Sequence, residues 1–261
     1  MTQLMAALYA ELLKMKKSKV LPGTFAGFSL APIMGALFVI VLRNATMAAA
    51  NGALQAKAAA TGFSPDWPSF LNLLGQATGV GGIIIFGFVA SWVFGREFSD
   101  HTAKDLLVLP VPRMVIVTAK MLVILIWSTA LVGFILLLGL LFGALLHLPG
   151  WSMQHLTGSL WQLVLITGQV ILLCTPVTFV ASAGRGYLAP MAFVIASVVL
   201  AQIIGALGFG AFFPWAVPAI YSKLVGAQTI LTPVSYIIVV GTGLAGLAAT
   251  LFWWKYADQT K

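Results

Sequence analysis

The sequence predicts an all-α polytopic membrane protein. It has six transmembrane helices with both termini in the cytoplasm, an N-terminal amphipathic helix, and a short cytoplasmic helix after the second span. Three observations carry this. Hydrophobic residues make up 61% of the 261 positions and charged residues only 8%, where soluble domains hold about 25% charged residues. Apolar runs near or above roughly 18 residues recur, each long enough to cross about 30 Å of hydrocarbon, and in lipid such a run is helical because a helix satisfies its own backbone hydrogen bonds. Eleven of the 14 Lys and Arg fall in segments 1–19, 96–120, 184–187 and 255–261. The outer segments keep Arg43, Lys57 and Lys223, and this bias places the first set in the cytoplasm.

The elements follow in order within a single transmembrane domain, 1–261. In residues 3–17, Leu4, Leu8, Leu12 and Met15 recur at near-helical spacing, with Glu11, Lys14 and Lys17 turned elsewhere. This is an amphipathic helix suited to the membrane interface. The first span covers about 20–42. It is longer than the apolar core of a signal peptide and has nineteen residues before it, so the opening does not read as one. A polar, Ala-rich loop, 43–69, leads to a second span at 71–95. The third, 115–146, is long enough to tilt. The connection HLPGWSMQH precedes the fourth, 157–183, and Gly184-Arg185-Gly186 turns tightly into the fifth, 187–211. Segment 212–230 is aromatic but broken by Pro214 and Pro218, which predicts an extracellular or re-entrant element. The sixth span, 231–254, ends in Trp253, Trp254 and Lys255.

Several chemistries are excluded or unsupported. All six acids fall outside the predicted spans, as do His101, His147 and His155 or at their edges, so a proton-coupled carrier has no evident relay. Sodium coupling through carbonyls and hydroxyls stays open. There is no GxSxG, no HExxH and no GxxxxGK[ST]. The chain therefore is not expected to be an enzyme, to bind metal or to cradle ATP itself. The +8 charge follows from membrane edges and calls for no nucleic acid. Cys174 lies in an apolar run and reads as packing. Gln76, Gln162, Gln169 and Gln202 are polar groups within spans; they suit a substrate path or interhelical hydrogen bonds equally. Gly75-x3-Gly79 and Gly139-x3-Gly143 mark close helix contacts or a dimer seam, Pro32, Pro176 and Pro190 are expected to kink their spans, and Trp151, Trp161, Trp215, Tyr221, Trp253 and Trp254 to anchor at interfaces.

One stretch breaks the pattern. GREFSDHTAKDLLVLPVPR, 95–113, carries six of the twenty formal charges, including three of six acids. As a helix it sets Glu97, Asp100, His101 and Lys104 on one face at i, i+3, i+4 and i+7, and Phe98, Thr102, Leu106 and Leu109 on another. Glu97–His101 and Asp100–Lys104 both place the acid four residues ahead of the base, the favourable order. The expectation is a surface helix, apolar side down and charges toward water, ended by Pro110 and Pro112. A solvated topology anchor accounts for its basic residues but not for its three acids; the surplus favours a partner surface.

Glu97, Thr102, Leu106-Leu107, Pro110, Arg113 and Lys120 stand in the spacing E-x4-T-x3-LL-x2-P-x2-R-x6-K. This resembles the pattern that follows the second span in ABC-2 type permeases, and the chain looks most like the six-span permeases of bacitracin and lantibiotic resistance or immunity. The opening YAELLKMKKSKV is similar to theirs as well. Pro112 departs from the small polar residue more usual there. The resemblance implies a permease subunit of an exporter that moves an amphipathic peptide antibiotic, drug or lipid. It implies a second permease subunit, identical or related, and two copies of a cytoplasmic ATPase that binds ATP and Mg. This chain would bind no cofactor and would sit in a prokaryotic cytoplasmic membrane among its lipids. Carried over, Glu97, Phe98, Asp100, His101, Thr102, Lys104, Asp105 and Arg113 are the candidates for contact with the ATPase. The competing expectation is an ATP-independent membrane protein, a secondary carrier or a sensory or scaffold subunit.

Overall fold

In the computed structural model, residues 2–44, 52–100, 102, 111–224 and 230–256 are described. The elements are α1 (Gln3–Lys17), α2 (Val20–Arg43), α3 (Gly52–Thr61), α4 (Trp67–Ser99), α5 (Arg113–Leu145), α6 (Met153–Ala183) and α7 (Leu188–Ala206). Two 3-10 turns follow, Gly210–Phe212 and Pro214–Ala216, then α8 (Val217–Tyr221) and α9 (Pro233–Tyr256). Six of these, α2, α4, α5, α6, α7 and α9, are long and apolar enough to cross a membrane. Leu37, Leu137, Leu141, Leu188 and Ile237 face outward from the bundle, as side chains bathed in lipid do. The Ala-rich loop holds a helix, α3, which the sequence did not predict: alanine's high helix propensity acts there without an amphipathic pattern.

The most enclosed helix is α4. Its 33 residues rise about 50 Å at roughly 1.5 Å each, so both ends extend beyond a hydrocarbon layer of about 30 Å. At one end Asp66 caps it, its Oδ1 accepting from the Ser69 N–H at 2.9 Å, and Trp67 N–H reaches the Pro149 carbonyl at 3.0 Å. Beside it Arg43, the last residue of α2, donates to the carbonyls of Leu146 and His147 that close α5. At the other end a Cβ on Gly95 would meet the Gly186 carbonyl oxygen at 2.8 Å. Only glycine lets α4 lie against the tight α6–α7 turn, where Arg185 takes a φ of 50°.

The small-residue pairs are spent inside the chain. Gly79 meets the Pro218 carbonyl, Gly139 receives Leu74 and Gly143 receives the Trp67 ring, so these glycines form no dimer seam. Pro32 and Pro176 lie within α2 and α6, but Pro190 sits in the first turn of α7, where no backbone donor is required. Trp254 is no interface anchor: it is 1% exposed, and its Nε1–H donates to Ser182 Oγ at 2.9 Å. The Pro-broken aromatic segment folds back into the bundle, with Val217, Pro218, Ala219 and Ile220 buried.

Candidate functional site

At the α1 end, four charged side chains from three helices converge. Glu11 and Lys14 come from α1, Glu97 from the last turn of α4, and Lys120 from α5. Lys120 Nζ lies 2.9 Å from Glu97 Oε1, 3.2 Å from Glu11 Oε1 and 3.0 Å from the Val93 carbonyl. Lys14 Nζ lies 2.9 Å from the same Glu97 oxygen and 2.8 Å from Glu11 Oε1. Residue exposures of 0% for Lys120, 2% for Glu97 and 6% for Glu11 mean that these charges have left water, a large cost that only close pairing offsets. Two ammonium groups meet two carboxylates, and an ammonium of Lys120 fills its three donor positions. Burial works against a charged Lys14, but Glu11 and Glu97 outweigh it and hold its pKa above the ordinary lysine value.

Local sequence explains how the groups get there. Leu8, Leu12 and Met15 bed α1 on the main hydrophobic core, which brings Glu11 and Lys14, one turn apart, over the ends of α4 and α5. The α4 helix runs on through Arg96-Glu97-Phe98-Ser99 because nothing in those residues breaks it, and its cap is Asp100.

This corrects the expected one-sided helix. Glu97 does not share a water-facing surface with Asp100; it points inward, to partners 83 and 23 residues away. Asp100 is exposed and lies 3.7 Å from Arg96, the turn before it. Thr102 turns back on Glu97: its N–H donates to the Glu97 carbonyl at 2.9 Å and its Oγ1–H to Glu97 Oε2 at 2.8 Å. Arg113 donates to the Trp254 carbonyl at 3.3 Å, and Phe98 rests against the Trp254 ring. Thus Glu97, Thr102 and Lys120 of the spaced motif fasten the chain to itself, while Arg113, exposed, reaches the Trp254 carbonyl from the surface. His101, Lys104, Asp105, Leu106 and Leu109 lie outside the described residues.

Sequence reasoning missed Glu11 and Lys14 as members of the site and took Lys120 for a topology signal. The available clue was Glu11-x2-Lys14, an i,i+3 ion pair on a helix with an apolar face.

The four glutamines are not brought together. Gln76 faces a groove of about 550 Å³ between α2 and α4, walled by Met34, Phe38, Phe63, Leu73 and Leu224. Gln202 lines a separate small cleft beside Trp215. Gln162 Nε2 approaches the Tyr221 carbonyl at 3.5 Å, and Gln169 Oε1 is buried without a partner among the described residues.

The family model described as ABC-2 family transporter protein matches residues 7–203. A curated relative, the bacitracin transport permease protein BCRB of Bacillus licheniformis, is 28% identical over 177 residues, covering 68% of this chain and 85% of the relative. No solved structure matches. A bundle of six membrane-length helices, with Glu97, Thr102 and Lys120 of the spaced motif joined at the end of the second, and a family match over most of the chain lead to one conclusion: this chain belongs to the ABC-2 family of transporter proteins.

Proposed function

We propose that this chain is the membrane half of an ABC exporter. It works as a pair of permease subunits, identical or related, on two copies of a separate cytoplasmic ATPase, and moves an amphipathic peptide antibiotic, drug or lipid out of the cell or the membrane. ATP and its Mg ion are bound by that partner. The α1 end faces the cytoplasm, where the basic residues concentrate, and the segment between α4 and α5 meets the ATPase, with Asp100 the exposed acid next to it.

The groove between α2 and α4 is the observation that carries the cargo class. Its walls are apolar, its volume of about 550 Å³ falls in the range of small-molecule sites, and Gln76 supplies one amide for a polar group. A relative whose name is a bacitracin transport permease points to a peptide antibiotic within that class.

The test is co-purification with the ATPase encoded beside this chain, then ATPase measurement in nanodiscs with candidate cargoes. We expect a stable complex and several-fold stimulation by an amphipathic peptide antibiotic. Ala77→Phe, which fills the groove, should reduce the stimulation while preserving the complex. If no nucleotide-binding protein associates with the intact chain, the exporter reading fails and the scaffold reading replaces it.

A further inference from the structure

We propose that the furrow between α2, α4 and α7 at the α1 end holds one anionic phospholipid of the bilayer, its phosphate on Lys19 and an acyl chain along α4. The site is separate from the groove assigned to cargo and does not rest on the exporter reading.

The furrow has α4 as its floor, with Ile84 and Phe88 exposed along it. Lys19, the N-cap of α2, stands on one side with Gly23 and Gly27, and Met191 of α7 stands on the other. Phe28 holds α2 to α4 through the Phe86 ring, centroids 5.7 Å apart. α7 is drawn in at Gly87, where a Cβ would meet Val194 at 2.7 Å. Beside these contacts about 500 Å³ stays open. Lys19, Gly23 and Gly27 recur at i, i+4 and i+8, one helix face, and span about 12 Å at roughly 1.5 Å per residue. That is close to the depth of one leaflet, half of a hydrocarbon layer of about 30 Å.

The two glycines keep the furrow open. At Gly139, Gly143 and Gly246 a neighbouring group would strike an added Cβ, so internal packing requires them. A Cβ on Gly23 would meet nothing within 4 Å, and one on Gly27 only Ile85 at 4.0 Å. Glycine is unfavourable in a helix interior, and among the described residues no contact uses the room these two leave. An acyl chain lying in the furrow uses it.

Charge selects the occupant. An apolar furrow with small residues also suits a helix of a second copy. Lys19, however, lines this one and is exposed, as are the nearby Lys16 and Lys17. The described acids at this end already have partners: Glu11 and Glu97 pair with Lys14 and Lys120, and Asp100 with Arg96. Lys19 pairs with no acid among the described residues. A second copy docked across a twofold axis sets like surface on like and brings its own lysines to a basic mouth. An anionic headgroup brings the opposite charge.

The test is native mass spectrometry of the whole purified chain, without ATPase, titrated with palmitoyl-oleoyl phosphatidylglycerol or with phosphatidylcholine of the same tails. We expect the first phosphatidylglycerol to bind at least fivefold more tightly than the first phosphatidylcholine. Lys19→Gln should weaken phosphatidylglycerol about fivefold, the effect of roughly one lysine facing an anionic surface, and leave phosphatidylcholine unchanged. Gly23→Leu, which fills the furrow, should weaken both lipids at least fivefold; Gly241→Leu, in open space on α9, should weaken neither. Lys16→Gln with Lys17→Gln should cost less than twofold. Equal binding of the two lipids overturns the proposal. So does Lys19→Gln that binds phosphatidylglycerol like the unsubstituted chain, even if Gly23→Leu fails to fold. A loss shared evenly by the three lysines, with Gly23→Leu unaffected, replaces the site with a diffuse basic surface. Gly23→Leu that splits a dimer but keeps the lipid gives the furrow to a second copy instead.

Discussion

Replacing Lys120 with Met should destabilise the bundle by about 3–5 kcal/mol, the usual cost of breaking a buried ion pair from one side. The magnitude follows from the surroundings. Lys120 is fully enclosed, its Nζ satisfies Glu97, Glu11 and the Val93 carbonyl within 3.2 Å, and methionine of similar length leaves two carboxylates sharing Lys14. The double variant Lys120→Met with Glu97→Gln removes one charge of each sign and leaves the Glu11–Lys14 pair intact. It should therefore be more stable than the sum of the single costs implies, by a coupling energy of about 2–3 kcal/mol, toward the upper end for residues in contact. The assay is unfolding free energy in bicelles by steric trapping, for the four corners of the cycle. Additivity within about 0.5 kcal/mol, the behaviour of independent sites, would refute the reasoning: the two groups would not be sensing each other.

Asp66→Ala should cost about 1 kcal/mol as a lost N-cap. Burial raises the Asp66 pKa, but hydrogen bonds from Ser64 and Ser69 outweigh it and hold it below the ordinary value of 3.8. Its contribution is thus complete above that value and disappears as pH falls through the lower native one, so thermal melts of the two proteins should differ at neutral pH and converge in strong acid. Gly246→Ala drives a Cβ into the Pro176 backbone, whereas one at Gly241 on the same helix meets open space. The first should lower the yield of folded protein sharply, at a cost of at least 1–3 kcal/mol for overpacking, and Gly241→Ala should leave it unchanged, both read by size-exclusion chromatography in detergent. Ser182→Ala strands the buried Trp254 Nε1–H and should cost about 1–3 kcal/mol, seen as a lower melting temperature.

The spans were legible because length and hydropathy alone decide them: Val20–Arg43 and Met153–Ala183 fall within a few residues of the runs in the sequence. The charged stretch was legible as an exception and misread in its geometry. Helical spacing pairs Glu97 with residues three or four positions away, and it says nothing of a lysine on α1 or on α5. Burial of a charge is a tertiary property. It became visible only when α1, seated by Leu8, Leu12 and Met15, closed over the end of α4. Trp254 failed for the same reason: a tryptophan near a span end suits an interface until Ser182 of a neighbouring helix offers its hydroxyl.

The cluster at the end of α4 holds two positive and two negative groups, which gives it an electrical property. A single charge moved across a membrane works against about 2.3 kcal/mol per 100 mV, so an unpaired Lys120 would make any piston-like motion of α5 depend on the cell's voltage. Four charges that sum to zero and travel together carry almost no gating charge. These four groups therefore add almost no voltage dependence to a motion of this end of the bundle.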